Sequence, residues 1–222
     1  MSQLVLLPTE LADPAGSIRG MTDIQEFDAR ALKVTQTVVD RVAADRLDRP
    51  TPCGDWTLGQ LLAHMTGQNH GFAFAAGGEL HGREVWRDRP VGDDPGEAFA
   101  ASAAAVVAAF GAEGVPEREF WLPEVRGGQW FPAVQAVGFH LVDYVVHGWD
   151  VAASIGVGIE FDADVLAAAL TVAEAVPTGA SRVREGAAFA PALDVPAGAC
   201  VLDRILLLLG RDPNWSAPGH TG

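Results

Sequence analysis

The sequence is poor in cysteine and in positive charge. Its two cysteines, Cys53 and Cys200, show no CxxC spacing. Two such cysteines exclude a small secreted protein built on disulfides and fit a reducing compartment. Lys and Arg together number 15 against 29 Asp and Glu, which gives a net charge of −14. The basic residues are few and scattered, so we expect neither nucleic acid nor an anionic membrane as a partner.

The chain also lacks a long apolar run and a basic N-terminal segment. Its longest strongly apolar stretch, 205–209, falls far short of the ~20 residues that cross a bilayer. The apolar residues 4–7 are interrupted by Pro8 and follow no basic residues, unlike a signal peptide. We therefore expect a cytoplasmic protein. Residues 1–20 are predicted to form a flexible leader, with Met21 as an alternative start, and 21–222 one domain.

Apolar residues are abundant, at 49% of the chain, and they recur with helical spacing. Thr22 with Gln25 and Thr57 with Gln60 fit the capping-box pattern, and Asp94 precedes a proline at a further helix start. We predict an all-α fold: a four-helix bundle over about 23–156 and a short helical and extended tail over about 157–222. The predicted helices cover 23–46, a segment from 58 onward, 95–112, 131–154, 162–176 and 202–209.

Three polar side chains share one face of the fourth predicted helix. His140, Asp143 and His147 occupy positions i, i+3 and i+7, and the last two lie one turn apart. Such a pair can bind one metal ion, and His64 of the second helix would join it if the two helices face each other. The alternative is a set of core or cleft histidines bonded to carbonyls and a carboxylate paired with a cation. An unpaired carboxylate on an apolar face costs several kcal/mol, which favours a divalent cation.

Three segments carry a resemblance to a known family: TPCGDWTLGQLLAHMTG (51–67), HLVDYVVHGWDVA (140–152) and LDRILLLLGRDPNW (202–215). They resemble the DinB-like metal-binding superfamily, in the branch of the mycothiol-dependent maleylpyruvate isomerase N-terminal domain. The resemblance implies a four-helix bundle whose His64, Asp143 and His147 hold a divalent metal, zinc or alternatively nickel. It further implies a low-molecular-weight thiol such as mycothiol, a small electrophilic substrate, and isomerisation or S-transfer as the reaction. Because bundles of this family often dimerise, a homodimer is the assembly it suggests.

The chain departs from that family in two respects. The isomerase has Glu at the acid position, so Asp143 is one methylene shorter. The isomerase also has a separate C-terminal α/β domain, for which the residues after 154 are too few, so isomerisation of maleylpyruvate itself is not carried over. The competing hypothesis is a non-catalytic metal-binding bundle or an accessory or stress-related protein.

Further polar residues have weaker assignments. We predict His140 as a catalytic acid or base, with packing and a fourth metal ligand as alternatives. Asp150 is a candidate orienter of a metal ligand or a partner for a loop, and Cys53 is a turn residue rather than a nucleophile. Three arginines are candidate clamps for an anionic substrate or ordinary surface residues: Arg182, Arg184 and Arg204.

Overall fold

The computed structural model describes residues 20–125, 127–183 and 187–217. Within them the chain forms six α-helices and one antiparallel hairpin, which confirms the predicted all-α bundle with a tail. The predicted leader lies outside the described residues, apart from residue 20. The helices are α1 (Met21–Val39), α2 (Leu58–Ala75), α3 (Pro95–Phe110), α4 (Ala133–Ile155), α5 (Ala163–Ala175) and α6 (Val201–Leu208), and the strands are β1 (Glu119–Leu122) and β2 (Gln129–Pro132).

The first four helices close into a bundle. α1 packs against α3 and α4, and α2 packs against the same two helices. α5 lies against α4 and α1, and α6 lies against α5. Large side chains fill the space between the helices with less than 2% exposure, including Phe99, Phe110, Leu61 and Tyr144. The bundle therefore has one continuous core, and α2 and α4 meet across it.

The start of α2 is fixed as the sequence predicts. The Thr57 hydroxyl accepts a hydrogen bond from the Gln60 backbone N–H, and the Gln60 side chain accepts one from the Thr57 backbone. This capping box satisfies two of the free N–H groups at the helix start. Asp94 likewise caps α3, where it accepts from the Glu97 backbone. The capping box predicted for Thr22 is wrong, since Thr22 lies inside α1 and Gly20 precedes the helix without a side-chain cap.

The prediction of a first helix reaching residue 46 is also wrong, because α1 ends at Val39. The chain turns after Asp40 and continues in a short 3₁₀ helix, Ala44–Arg46. Val42 nevertheless remains buried, so apolar periodicity persists through the turn. The β1–β2 hairpin lies between α3 and α4, with Trp121 opposite Trp130.

The tail after α4 contains α5, α6 and an extended stretch between them. The last helix lies within one residue of the predicted 202–209. Arg182 ties this region together, since its buried guanidinium donates to the carbonyls of Pro177, Ala190 and Leu208. Among the helices of the described residues, none is both long enough and apolar enough to cross a membrane.

Candidate metal centre

His64, Asp143 and His147 lie together between α2 and α4. Each offers one donor atom, and the three atoms all lie within 4.8 Å of one another. Nε2 of His147 is 3.4 Å from Oδ1 of Asp143, one turn away on α4. The ring centroids of His64 and His147 are 5.8 Å apart. The structure thus brings together the three residues that the sequence singles out on two separate helices.

The cluster is open on one side and closed on the other. The side chains of His64 and Asp143 are each 22% exposed, whereas that of His147 is 6% exposed. The ring of Trp56, which precedes α2, lies 4.7 Å from the His64 ring. Solvent therefore reaches the cluster from the His64 and Asp143 side, while His147 faces the interior.

A carboxylate contacts Nδ1 of each histidine. Nδ1 of His147 is 2.9 Å from Oδ2 of Asp150, and Nδ1 of His64 is 3.3 Å from Oδ1 of Asp88. A carboxylate at Nδ1 favours the tautomer that keeps the proton there and leaves a lone pair on Nε2. Of the two roles predicted for Asp150, orienting a metal ligand or binding a loop, this direct contact with His147 favours the first.

Burial and neighbouring charges shift the pKa values of the two imidazoles in opposite directions. Burial lowers the pKa of His64, and the neighbouring His147 lowers it further. Burial also lowers the pKa of His147, but the adjacent carboxylates of Asp143 and Asp150 outweigh it and leave that pKa raised. A neutral histidine thus stands beside one that holds its proton more strongly, and both would have to present a free nitrogen to bind a cation.

The donor set fits a divalent metal ion. Two imidazoles and one carboxylate are ligands that zinc and nickel accept, and three protein ligands leave positions for a small molecule. The carboxylate partners at Nδ1 are the kind of outer contacts that histidine ligands of metals usually have. The residues that would hold the ion are His64, Asp143 and His147.

A second group of potential ligands, Cys53, His147 and Asp150, also brings its donor atoms within 4.8 Å. It fits a metal poorly because a cation already occupies it. The guanidinium of Arg211 donates to Asp150 at 2.9 Å and to the Cys53 sulfur at 3.0 Å. Burial raises the pKa of the Cys53 thiol to about 12, so it is not a thiolate at neutral pH.

The ring nitrogens of His140 contact residues outside this cluster. It is fully buried, with Nδ1 2.7 Å from Oδ1 of Asp28 and Nε2 3.1 Å from Oδ1 of Asn69. Both ring nitrogens therefore have protein partners. Its catalytic role stays a prediction, and these contacts favour the packing alternative over a fourth ligand.

Two of the three arginines considered as candidate clamps for a substrate have other partners in the structure. Arg182 binds backbone carbonyls of the tail, and Arg204 pairs with Glu174 at 2.8 Å on the surface. Arg184 lies outside the described residues.

Sequence reasoning missed two residues at this site: Asp88, which contacts His64, and Arg211, which binds Asp150. Asp88 lies in a segment rich in Gly, Arg, Asp and Pro, where no periodicity marks it. Arg211 directly follows Gly210, which ends the last helix, in the third family-like segment. Its position in that segment is the one sequence feature that points to it.

The part of the chain that carries the three candidate ligands matches a known family. Residues 29–152, which include all three candidate ligands, match the mycothiol maleylpyruvate isomerase N-terminal domain. Two uncharacterized proteins of Mycobacterium tuberculosis, from strains CDC 1551 / Oshkosh and ATCC 25618 / H37Rv, are each 32% identical over 190 residues. Each of these alignments covers 82% of this chain and 94% of the relative.

A solved structure, the crystal structure of the mycothiol-dependent maleylpyruvate isomerase, superposes with a TM-score of 0.47 at 13% identity. It covers 69% of this chain and 67% of that one. Because the family match spans more than half of the chain, this chain belongs to the mycothiol maleylpyruvate isomerase N-terminal domain family.

Proposed function

We propose that this protein is a metal-dependent enzyme that uses a low-molecular-weight thiol, mycothiol or a close analogue, to transform a small electrophilic substrate. The observation that carries the proposal is the convergence of His64, Asp143 and His147 within 4.8 Å at a partly exposed site. Membership of a family named for a mycothiol-dependent isomerase supports the choice of thiol.

The proposed ligands have distinct tasks. His147, held by Asp150 at Nδ1, presents Nε2 from the closed side of the site. His64 supplies the second nitrogen from α2, and its ring contacts both Trp56 and Asp88. Asp143 supplies a negative charge that balances the cation. We propose zinc as the metal, with nickel as the alternative.

A divalent cation held at this site supplies Lewis acidity, which lowers the pKa of a thiol or water that it binds. The protein's own part is to hold the two reactants at the exposed side formed by His64 and Asp143. The thiolate sulfur adds to an electrophilic carbon, after its proton has gone to solvent. Expulsion of the same sulfur after bond rotation gives an isomer and returns the thiolate, which can take back a proton from solvent, whereas protonation of the adduct carbanion by solvent gives a stable S-conjugate.

The proposal does not name maleylpyruvate as the substrate. In residues 156–183 and 187–217, which follow α4, the structure has helices and extended stretches without a strand. An α/β domain like that of the isomerase is thus absent from the described part of the tail. We propose a cytoplasmic location, where both cysteines stay reduced as free thiols. The homodimer stays a prediction.

The experiment measures thiol consumption by the zinc-loaded protein with mycothiol and a panel of small α,β-unsaturated acids that includes maleylpyruvate. Products are separated to distinguish an S-conjugate from an isomer formed without net loss of thiol. We expect turnover in the wild type and in His70→Ala, and its loss in His147→Ala. His70 is a matched control because it is a partly exposed histidine of α2 outside both ligand groups.

Bound metal without turnover of any panel member would instead favour the competing hypothesis of a non-catalytic metal-binding bundle. Turnover that persists in His147→Ala would contradict the assignment of this site.

A further inference from the structure

Arg211 reaches the back of the metal centre from the end of α6. Gly210 ends that helix with a positive φ of +78°, and a Cβ there would lie 2.7 Å from the Ala190 Cβ. The Arg211 backbone N–H then donates to the carbonyl of Leu206 at 2.8 Å, which closes the helix end. The turn directs the Arg211 side chain inward, where the residue is only 5% exposed.

The Arg211 guanidinium grips the carboxylate of Asp150. Its Nε lies 2.9 Å from Oδ1 and 3.3 Å from Oδ2, and one terminal nitrogen lies 3.2 Å from Oδ2. The same terminal nitrogen donates to the Cys53 sulfur at 3.0 Å. Asp150 is fully buried, so this cation is what compensates its charge. A planar fork fixes the carboxylate in direction as well as in charge.

The Asp150 carboxylate in turn contacts His147, one of the candidate metal ligands. Oδ2 of Asp150 bonds to Arg211 on one side and to Nδ1 of His147, at 2.9 Å, on the other. An ionised Asp150 can only accept, so it selects the His147 tautomer with a proton on Nδ1. The Nε2 lone pair of that tautomer lies on the side of Asp143.

We propose that Arg211 is a positioning residue: acting through Asp150, it fixes the tautomer and orientation of His147, so that the segment after α6 completes the metal centre. The inference rests on the proposed function for its metal, but the contacts with Asp150 are those of the chain itself. The tail is therefore part of the site rather than an appendage to the bundle.

Two other arginines of the tail show what a purely structural role looks like. Arg182 is as buried as Arg211, but its guanidinium donates to backbone carbonyls. Arg204 is on α6 itself and makes a surface pair with Glu174. Neither has a hydrogen bond to the ligands or to Asp150 among the described residues. Arg204 is the matched control because its removal changes the charge of the tail equally.

The test compares Arg211→Met, Arg211→Lys and Arg204→Met with the wild type. The first readout is the His147 tautomer in protein without added metal, observed by ¹⁵N NMR at alkaline pH, where the ring is neutral. The second is Zn²⁺ affinity, measured by competition with a chromogenic chelator. We expect Arg211→Met to lose the Nδ1–H tautomer and to bind Zn²⁺ about 10- to 100-fold more weakly. Arg211→Lys should recover part of that loss, and Arg204→Met should stay within about twofold.

An unchanged tautomer together with Zn²⁺ affinity within twofold of the wild type in Arg211→Met would overturn the proposal, even if the melting temperature falls. If Arg211→Met does not fold, the same comparison between Arg211→Lys and the wild type decides. A wild type that binds no Zn²⁺ would overturn the proposed function alone, because the tautomer measurement still decides whether Arg211 positions His147.

Discussion

Asp28 of α1 lies 2.7 Å from Nδ1 of His140 of α4, and both side chains are buried. The contact continues through Nε2 of His140 to Asn69 of α2, whose amide donates to the Ser102 hydroxyl of α3 at 2.9 Å. One polar chain thus joins all four helices of the bundle. Burial raises the pKa of Asp28, and the proximity of His140 counteracts part of that shift.

Removing His140 should destabilise the fold. His140→Ala leaves Asp28 buried without its partner, which costs about 3–5 kcal/mol in the free energy of unfolding. Chemical denaturation measures the loss, and the control His81→Ala, which removes a partly exposed loop histidine that contacts the Phe74 carbonyl, should cost about 1 kcal/mol or less. Wild-type stability of His140→Ala combined with lost turnover would show instead that His140 acts in the chemistry.

The Arg30 guanidinium of α1 should make the protein sensitive to acid. It binds both oxygens of Asp164, at 2.8 and 2.7 Å, near the start of α5. This hydrogen bonding lowers the pKa of Asp164 below its ordinary 3.8. Because the folded pKa is the lower one, the stabilisation is complete above the unfolded pKa and is lost as the pH falls through the folded pKa.

We therefore expect Arg30→Gln to reduce the free energy of unfolding at neutral pH by about 1 kcal/mol or less, since the pair is largely exposed. The difference from the wild type should shrink below about pH 4. Urea titrations at several pH values measure it, with Arg204→Gln as the control for a pair with one contact. A difference that stays constant down to pH 2 would contradict the assignment.

Much of this arrangement could be predicted from local sequence. The capping box of Thr57 and Gln60 fixes where α2 begins, and the i, i+4 spacing places Asp143 and His147 on one face. Both signals lie within one helix turn, where backbone geometry dictates which side chains meet. The pairing of His64 with that face needed the family resemblance, because local spacing does not say which helices are neighbours.

The rest depends on contacts between distant segments. Asp88 contacts His64 and Arg211 binds Asp150, and both residues lie in irregular chain, where no periodicity predicts the direction of a side chain. The predicted first helix is too long for a similar reason. Val42 is buried after the turn, so its apolar side chain continues the helical spacing although the helix has ended. His140 shows the same limit: its helical spacing matches the ligand face, but Asp28 and Asn69 engage its ring.

Close packing beside His147 predicts an effect of Gly148→Ala. A Cβ at Gly148 would lie 2.6 Å from the hydroxyl oxygen of Thr35, which is buried and donates to the Tyr144 carbonyl. We expect a loss of about 1–3 kcal/mol in the free energy of unfolding, because α1 and α4 must separate locally. Gly138→Ala on the same helix meets only a Val172 methyl, at 3.3 Å, and serves as the control. Equal stabilities of the two variants, measured by thermal denaturation, would disagree with this packing.

The capping box of α2 predicts a smaller effect. Thr57→Ala removes the acceptor for the Gln60 N–H and should cost about 1 kcal/mol, whereas Thr57→Ser keeps it and should cost less than half of that. Urea denaturation measures both variants. Identical losses would mean that the hydroxyl contributes nothing to the start of the helix that carries His64.

The metal content of the purified protein tests the central claim most directly. Elemental analysis of protein prepared without chelator should find about one equivalent of a divalent metal in the wild type and in His70→Ala. It should find the metal lost in both His64→Ala and His147→Ala, because the site needs a ligand from each of the two helices. Absence of bound metal in the wild type, with no uptake of added zinc or nickel, would contradict the account.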